Sequence, residues 1–140
     1  MRIVCAFYIL TAFATAADLR LSELIIRGRT DEALRLIRTG FAVDARDTRG
    51  YTPLIWAAAT GNVPIVQELI GRGTRLNLRG RDGLTAFAVS MTNGHGKIPP
   101  LLVRAGADCQ PPNADWRKEL SSRNARAAEF LNEVILSACS

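Results

Sequence analysis

Apolar residues in this chain gather into short helical faces, each closed by glycine. Ile65, Val66, Leu69 and Ile70 occupy positions i, i+1, i+4 and i+5, the pattern of a buried helix. Asn62-Val63-Pro64 opens that helix with proline near its start, and Gly71 and Gly73 stop it. The preceding run, Leu54 to Ala58, opens at Thr52-Pro53 and ends at Gly61. Threonine there can accept from free helix amides, and proline tolerates the first turn. Arg75 to Gly83 has little apolar content and two glycines, so it reads as a protruding loop. Near the C-terminus Ala127, Ala128, Phe130, Leu131, Val134, Ile135 and Leu136 predict an amphipathic helix. Its polar face would carry Arg123, Arg126, Glu129, Asn132 and Glu133.

The faces recur at a fixed interval of 33 residues. Gly50 and Gly83, Thr52 and Thr85, Gly61 and Gly94, Leu69 and Leu102, and Gly73 and Gly106 all stand in that register. Leu36, Gly40 and Gly28 extend it towards the N-terminus. A helix pair this small cannot bury its own apolar face, so neighbouring pairs must share a core.

The letters of the middle unit are Gly50-Tyr51-Thr52-Pro53-Leu54-Ile55-Trp56-Ala57-Ala58. They resemble the ankyrin repeat, whose signature is T-P-L-H-x-A. Thr52, Pro53, Leu54 and Ala57 match, and Ile55 replaces the usual histidine. In the third unit Thr85 matches, Ala86-Phe87-Ala88 departs, and Gly94-His95, Leu101-Leu102 and Gly106-Ala107-Asp108 return to the pattern. The first unit lacks the Thr-Pro start, but Ala33 to Gly40 fits. The resemblance covers about residues 18–115. It implies an all-α solenoid of stacked helix-turn-helix units with short hairpin loops. Repeats would span about 18–49, 50–82 and 83–115, with a degenerate C-terminal cap at 116–140.

Composition narrows the reading. The chain has 140 residues, 48% apolar and 6% aromatic, enough for one domain built on small aliphatics. No run reaches the roughly 20 apolar residues of a membrane span. Residues 1–17 read as a secretory signal peptide: Arg2, an apolar Ile3–Leu10, then small residues ending in Ala14-Thr15-Ala16 or Thr15-Ala16-Ala17. The competing reading is a buried first helix. Cleavage would remove Cys5 and leave Cys109 and Cys139, either a disulfide in an oxidising compartment or two buried thiols.

Catalytic groups do not converge in the sequence. His95 is expected to bond locally at a helix start. Asp44, Asp47, Glu68, Asp82, Asp108 and Asp115 sit at repeat ends, where carboxylates organise turns and caps. No nucleophile pattern, Gly-rich phosphate loop or metal-ligand spacing appears. We therefore expect no catalytic residue, no metal and no cofactor. An enzyme using Cys109, Cys139 and His95 is the weakest reading.

The formal charge is +5, falling to +4 if Arg2 leaves with the signal. Arg46, Arg49, Arg72, Arg75, Arg79 and Arg81 gather near the loops, as a solvated basic face or as a surface for an acidic protein. Interspersed acids and the export signal disfavour nucleic acid, and stable membrane insertion is not expected. An anionic membrane surface remains open. The resemblance implies binding of another protein through hairpin tips and a concave face of inner helices. By register those positions are Thr48, Arg49, Tyr51, Ala59 and Thr60, then Arg81, Asp82, Leu84, Thr92 and Asn93. The candidate partner-binding residues are Arg49, Tyr51, Thr60, Arg81, Asp82 and Asn93, led by Tyr51 and Arg49 because Tyr and Arg are enriched at hot spots. Trp56 is expected to pack between repeats and Trp116 to cap the last. Exported ankyrin proteins of this size resemble periplasmic bacterial accessory factors, one type of which is associated with peroxide protection. An immunity or inhibitor protein that neutralises a toxin or hydrolase is the alternative. The sequence leaves the oligomeric state open.

Overall fold

Thr52 and Thr85 each hold an extended backbone and accept a helix amide on the hydroxyl, from Ile55 and Ala88, both at 3.3 Å. A cap of this kind is worth about 1 kcal/mol. The two inner helices they start are α3 (Pro53–Thr60) and α5 (Ala86–Thr92). The computed structural model describes residues 20–109, 115, 118, 121, 122 and 125–139. Within them α1 covers residues 20–26, α2 is Thr30–Arg38, α4 Val63–Gly71, α6 Ile98–Arg104 and α7 Ala125–Ala138. The regular structure of the described residues is entirely helical.

Two rows result. The inner helices α3 and α5 pack side by side, while α2, α4 and α6 form the outer row and α7 stacks on α6. Between the rows lies one core, with Leu21, Ile25, Ile37, Leu54, Ile65, Leu69, Phe87, Met91, Ile98 and Leu102 fully buried. It runs without a break from the first repeat to the third, as the shared-core argument requires.

Polar side chains also stitch neighbouring repeats, again in the 33-residue register. Asp44 Oδ1 accepts from the Thr74 hydroxyl at 2.6 Å and the Arg75 amide at 2.9 Å. One repeat later Asn77 Oδ1 accepts from the Asp108 amide at 2.9 Å. Asn62 caps α4 through its oxygen and donates its Nδ2 to Thr30 Oγ1 at 2.7 Å. His95 departs from the local role expected of it. Its Nε2 meets the Ala59 carbonyl of the preceding repeat at 3.0 Å, so it fastens the turn after α5 to α3.

Gly61 explains why that fastening is tight. Its φ is +72°, and a Cβ there would lie 2.6 Å from His95 Nδ1. Gly73 has a similar φ of +76° but open space around it. Ala at either position adds about 1–2 kcal/mol of left-handed strain. Only Gly61→Ala must also displace the imidazole. Urea denaturation should therefore show a larger loss for Gly61→Ala than for Gly73→Ala. Equal losses would remove His95 as a repeat clamp.

Other expectations shift in detail. Gly71 is the last residue of α4, with Arg72 as its cap and Gly73 following at positive φ. Glu68 organises no turn: it sits on α4 and takes Arg38 (3.3 Å) from α2 and Arg72 (3.5 Å) from the cap of its own helix. Hydrogen bonding from Arg38 holds its carboxyl below the usual glutamate range, against an opposing push from partial burial, and Arg72 adds to the lowering. A depressed carboxyl contributes stability above its unfolded pKa and loses it as pH falls through the folded pKa. Glu68→Gln should lower the urea midpoint near neutral pH, and the gap from wild type should close in acid below the folded pKa. A gap independent of pH would show that the ion pairs contribute nothing.

At the C-terminal end, Cys109 and Cys139 are joined as a disulfide, with Cα atoms 5.8 Å apart. It ties the end of α7 to the segment after α6. Phe130 lies against Gly96, where a Cβ would come within 2.8 Å of its ring. Leu136 departs from the apolar face expected of it and is 62% exposed. Asn132 departs from the polar face: it is half-buried, and its Oδ1 is buried without a hydrogen-bond partner. Residues 1–17, Pro111-Pro112-Asn113, Trp116 and Arg123 lie outside the described residues, as do the side chains of Ala127, Leu131, Val134 and Ile135.

Candidate functional site: the hairpin tips and inner helices

Each loop between repeats folds back on itself by the same bonds. Asp47 N donates to the Tyr51 carbonyl and Gly80 N to the Leu84 carbonyl, both at 2.9 Å. Arg46 Nη1 reaches the Gly50 carbonyl and Arg79 Nη1 the Gly83 carbonyl, both at 2.8 Å. Arg46 also spans the gap to the Arg79 carbonyl at 2.6 Å. These two arginines hold the hairpins in shape and join them. The basic cluster therefore divides into locks and outward-facing heads.

Asp47 is the centre of the first tip. Its Oδ1 accepts from the amides of Arg49 (3.0 Å) and Tyr51 (2.9 Å), and its Oδ2 from Trp56 Nε1 (2.8 Å). Trp56 thus anchors its own hairpin to α3 while packing against the core. Tyr51 meets Trp56 edge-on, with ring centroids 5.2 Å apart. The Tyr51 ring also lies against Gly80 in the next hairpin, where a Cβ would intrude to 2.6 Å. Only a glycine allows the ring to lie that close. Partial burial pushes the Tyr51 hydroxyl pKa up, and the Asp82 carboxylate adds to this while Arg81 opposes it. Above the rings, the Arg49 guanidinium stands 5.6 Å from the Trp56 centroid, within cation–π range.

The six candidates fall into two groups. Arg49, Tyr51, Arg81 and Asp82 meet at the hairpin end, where Arg81 lies beside Gly50. Arg49, Arg81 and Asp82 are exposed and Tyr51 is half-buried. Thr60 and Asn93 stand at the far end of the inner helices, about 12 Å away by helix rise. They are exposed, yet each also has a bond inside the chain: Thr60 Oγ1 to the Trp56 carbonyl (2.9 Å), Asn93 Nδ2 to the Ala59 carbonyl (3.0 Å).

Sequence reasoning omitted part of this face. Ser22, Glu23 and Ile26 of α1, with Arg27 just after it, line a notch of about 140 Å³ opposite Asp47, Thr48 and Arg49. The signal was present, since Ile26 and Arg27 precede Ala59 and Thr60 by the repeat interval.

Hairpins leaning over a row of inner helices make one broad polar surface with aromatic rings embedded in it. Among the described residues no three His, Cys, Asp or Glu converge as a metal site, and no helix is long and apolar enough to cross a membrane. The surface suits recognition of a macromolecule.

Comparison with known proteins agrees. The family model for ankyrin repeats (3 copies) matches residues 21–113. Human ankyrin repeat and SOCS box protein 3 is 34% identical over 88 residues, which is 61% of this chain and 16% of that protein. Mouse ankyrin repeat domain-containing protein 63 is 35% identical over 81 residues, 55% of this chain and 21% of that protein. The chain thus spans about a fifth or less of these relatives. A solved structure, the Bd0816 predatory endopeptidase from Bdellovibrio bacteriovorus in complex with immunity protein Bd3460, contains a chain superposing with a TM-score of 0.64 and 26% identity. That match covers 84% of this chain and 62% of the other. The repeat register, the shared core and the family match together make this chain a member of the ankyrin-repeat family, whose repeats are protein-interaction modules.

Proposed function

We propose that this chain is a non-catalytic scaffold, exported to the bacterial periplasm, that binds one protein partner through its hairpin tips and inner helices. The carrying observation is the tip of the first hairpin. There Asp47, Tyr51 and Trp56 form a fixed platform that presents an exposed arginine. Rigid aromatic and arginine groups dominate interface energetics because little side-chain entropy is lost on binding. Export is supported by the leader-like residues 1–17 and by the oxidised Cys109–Cys139 pair, which suits an oxidising compartment.

Crosslinked capture from the envelope fraction tests this reading. Arg49→Glu with Asn93→Arg should abolish capture of a specific partner, while Arg35→Glu on the exposed side of α2 should not. Capture lost only with Arg35→Glu would move the site to the outer row. A mature N-terminus near residue 18 is expected, and an intact Met1 in the cytosol would contradict export.

The likeness to a structure containing an immunity protein favours a second reading, in which the partner is a toxin or hydrolase that this chain restrains. The purified chain would then inhibit the captured protein at a one-to-one ratio. A partner whose activity is unchanged on binding would leave the scaffold and remove the inhibitor. A role as accessory factor in peroxide protection would show instead as survival under peroxide that depends on the same surface.

A further inference from the structure

We infer that a second copy of this chain docks on the first end to end, with α7 of one copy beside α1 and α2 of the next, so that copies extend the solenoid. The observation is a mismatch in burial between register mates, residues 33 positions apart. Leu69 and Leu102 are fully buried, each with a preceding outer helix beside it, α2 and α4 respectively. Their mate Leu36, on α2, is half-buried, and among the described residues no outer helix precedes it. The other end mirrors this. Ile37 is buried and its mates Ile70 and Val103 are half-buried, followed by the outer-row neighbours α4, α6 and α7 in turn. Leu136 is the next mate, and it is 62% exposed. One end thus lacks a neighbour over Leu36, and the other lacks a neighbour over Leu136.

Charge selects a copy of the chain as that neighbour. Inside the array Glu68 receives Arg38 from the preceding helix. The register mate of Glu68 on α2 is the exposed Arg35, so the open end calls for an acid on the helix before it. Two such acids stand on α7. Glu129, Glu133 and Leu136 occupy i, i+4 and i+7, one stripe of the helix, and all three are exposed. Across the joint, Arg20 and Arg35 rim a hollow of about 250 Å³ between α1 and α2, with Leu24 and Leu36 as its apolar lining. Glu32 also lines it and is paired with Arg29. Arg20, Arg29 and Arg35 outnumber Asp31 and Glu32 on this end, while Glu129 and Glu133 outnumber Arg126 on α7. The hollow takes Leu136, and the two glutamates meet the guanidiniums. Such a joint uses different surfaces on the two copies, so it continues past a dimer.

Sedimentation equilibrium of the purified full chain, from micromolar to millimolar concentration, tests this. The average mass should rise with concentration past that of a dimer and fall back with added salt. Arg35→Glu or Glu133→Arg should each weaken association about fivefold or more, as for reversal of one exposed ion pair. The two substitutions in one chain should restore it, which a variant that merely misfolds would not do. Leu136 is exposed, so Leu136→Asp should weaken association about tenfold or more without unfolding α7. A mass fixed at the monomer, a mass that stops at the dimer, or charge reversals that fail to rescue one another would overturn the inference. So would association lost with Arg49→Glu and kept with Arg35→Glu, which would place the contact at the hairpin tips.

Discussion

Leu69→Ala should destabilise the chain by about 2–5 kcal/mol, because Leu69 is fully buried and its removal leaves a cavity the helices cannot close. Its place makes the loss consequential. Leu69 sits on α4, in the middle of the outer row between α2 and α6. In a repeat array each interface couples only neighbours, so weakening the centre separates the two ends. Urea unfolding followed by circular dichroism and by tryptophan fluorescence should lose its single transition in this variant. A shift under 1 kcal/mol with one sharp transition would mean that the core is not shared as described.

The second large effect concerns the cap. Replacing Cys109 and Cys139 by serine removes a link of sequence separation 30, worth about 3–4 kcal/mol on the loop-entropy model. Loss should be local as well as global. The α7 helix rests on α6 and on Gly96 through Phe130, and Phe130 is 49% exposed, so its packing is partial. Hydrogen exchange should therefore quicken in α7 well before α3 and α4. Unchanged protection of α7 would show that its contacts, not the disulfide, hold the cap.

The sequence was legible where one residue type answers one local need. Thr52, Asn62 and Gly61 marked helix starts and an end, because caps and left-handed turns admit few residues. It was opaque where a side chain reaches across repeats. Asp44 reads as an ordinary turn residue and Asn77 as one more polar residue of a loop, yet both bind backbone amides 31 positions ahead. His95 looked local, yet it holds Ala59. Arg46 and Arg79 were indistinguishable from solvated arginines, since a long flexible stem leaves no periodic trace of where its head lands. Of the six candidate site residues, register alone placed Arg49, Tyr51, Arg81 and Asp82 at one end. It could not show that the Tyr51 ring is wedged between Trp56 and Gly80, because that requires the neighbouring hairpin.

The binding face is tested most directly by photo-crosslinking in the envelope, with benzoyl-phenylalanine placed in turn at Thr48, Thr60 and Gln67. All three positions are exposed; the first two lie on the hairpin and inner helix, the third on the outer row. Positions 48 and 60 should yield one shared crosslinked partner and position 67 none. Crosslinks from position 67 alone would contradict it.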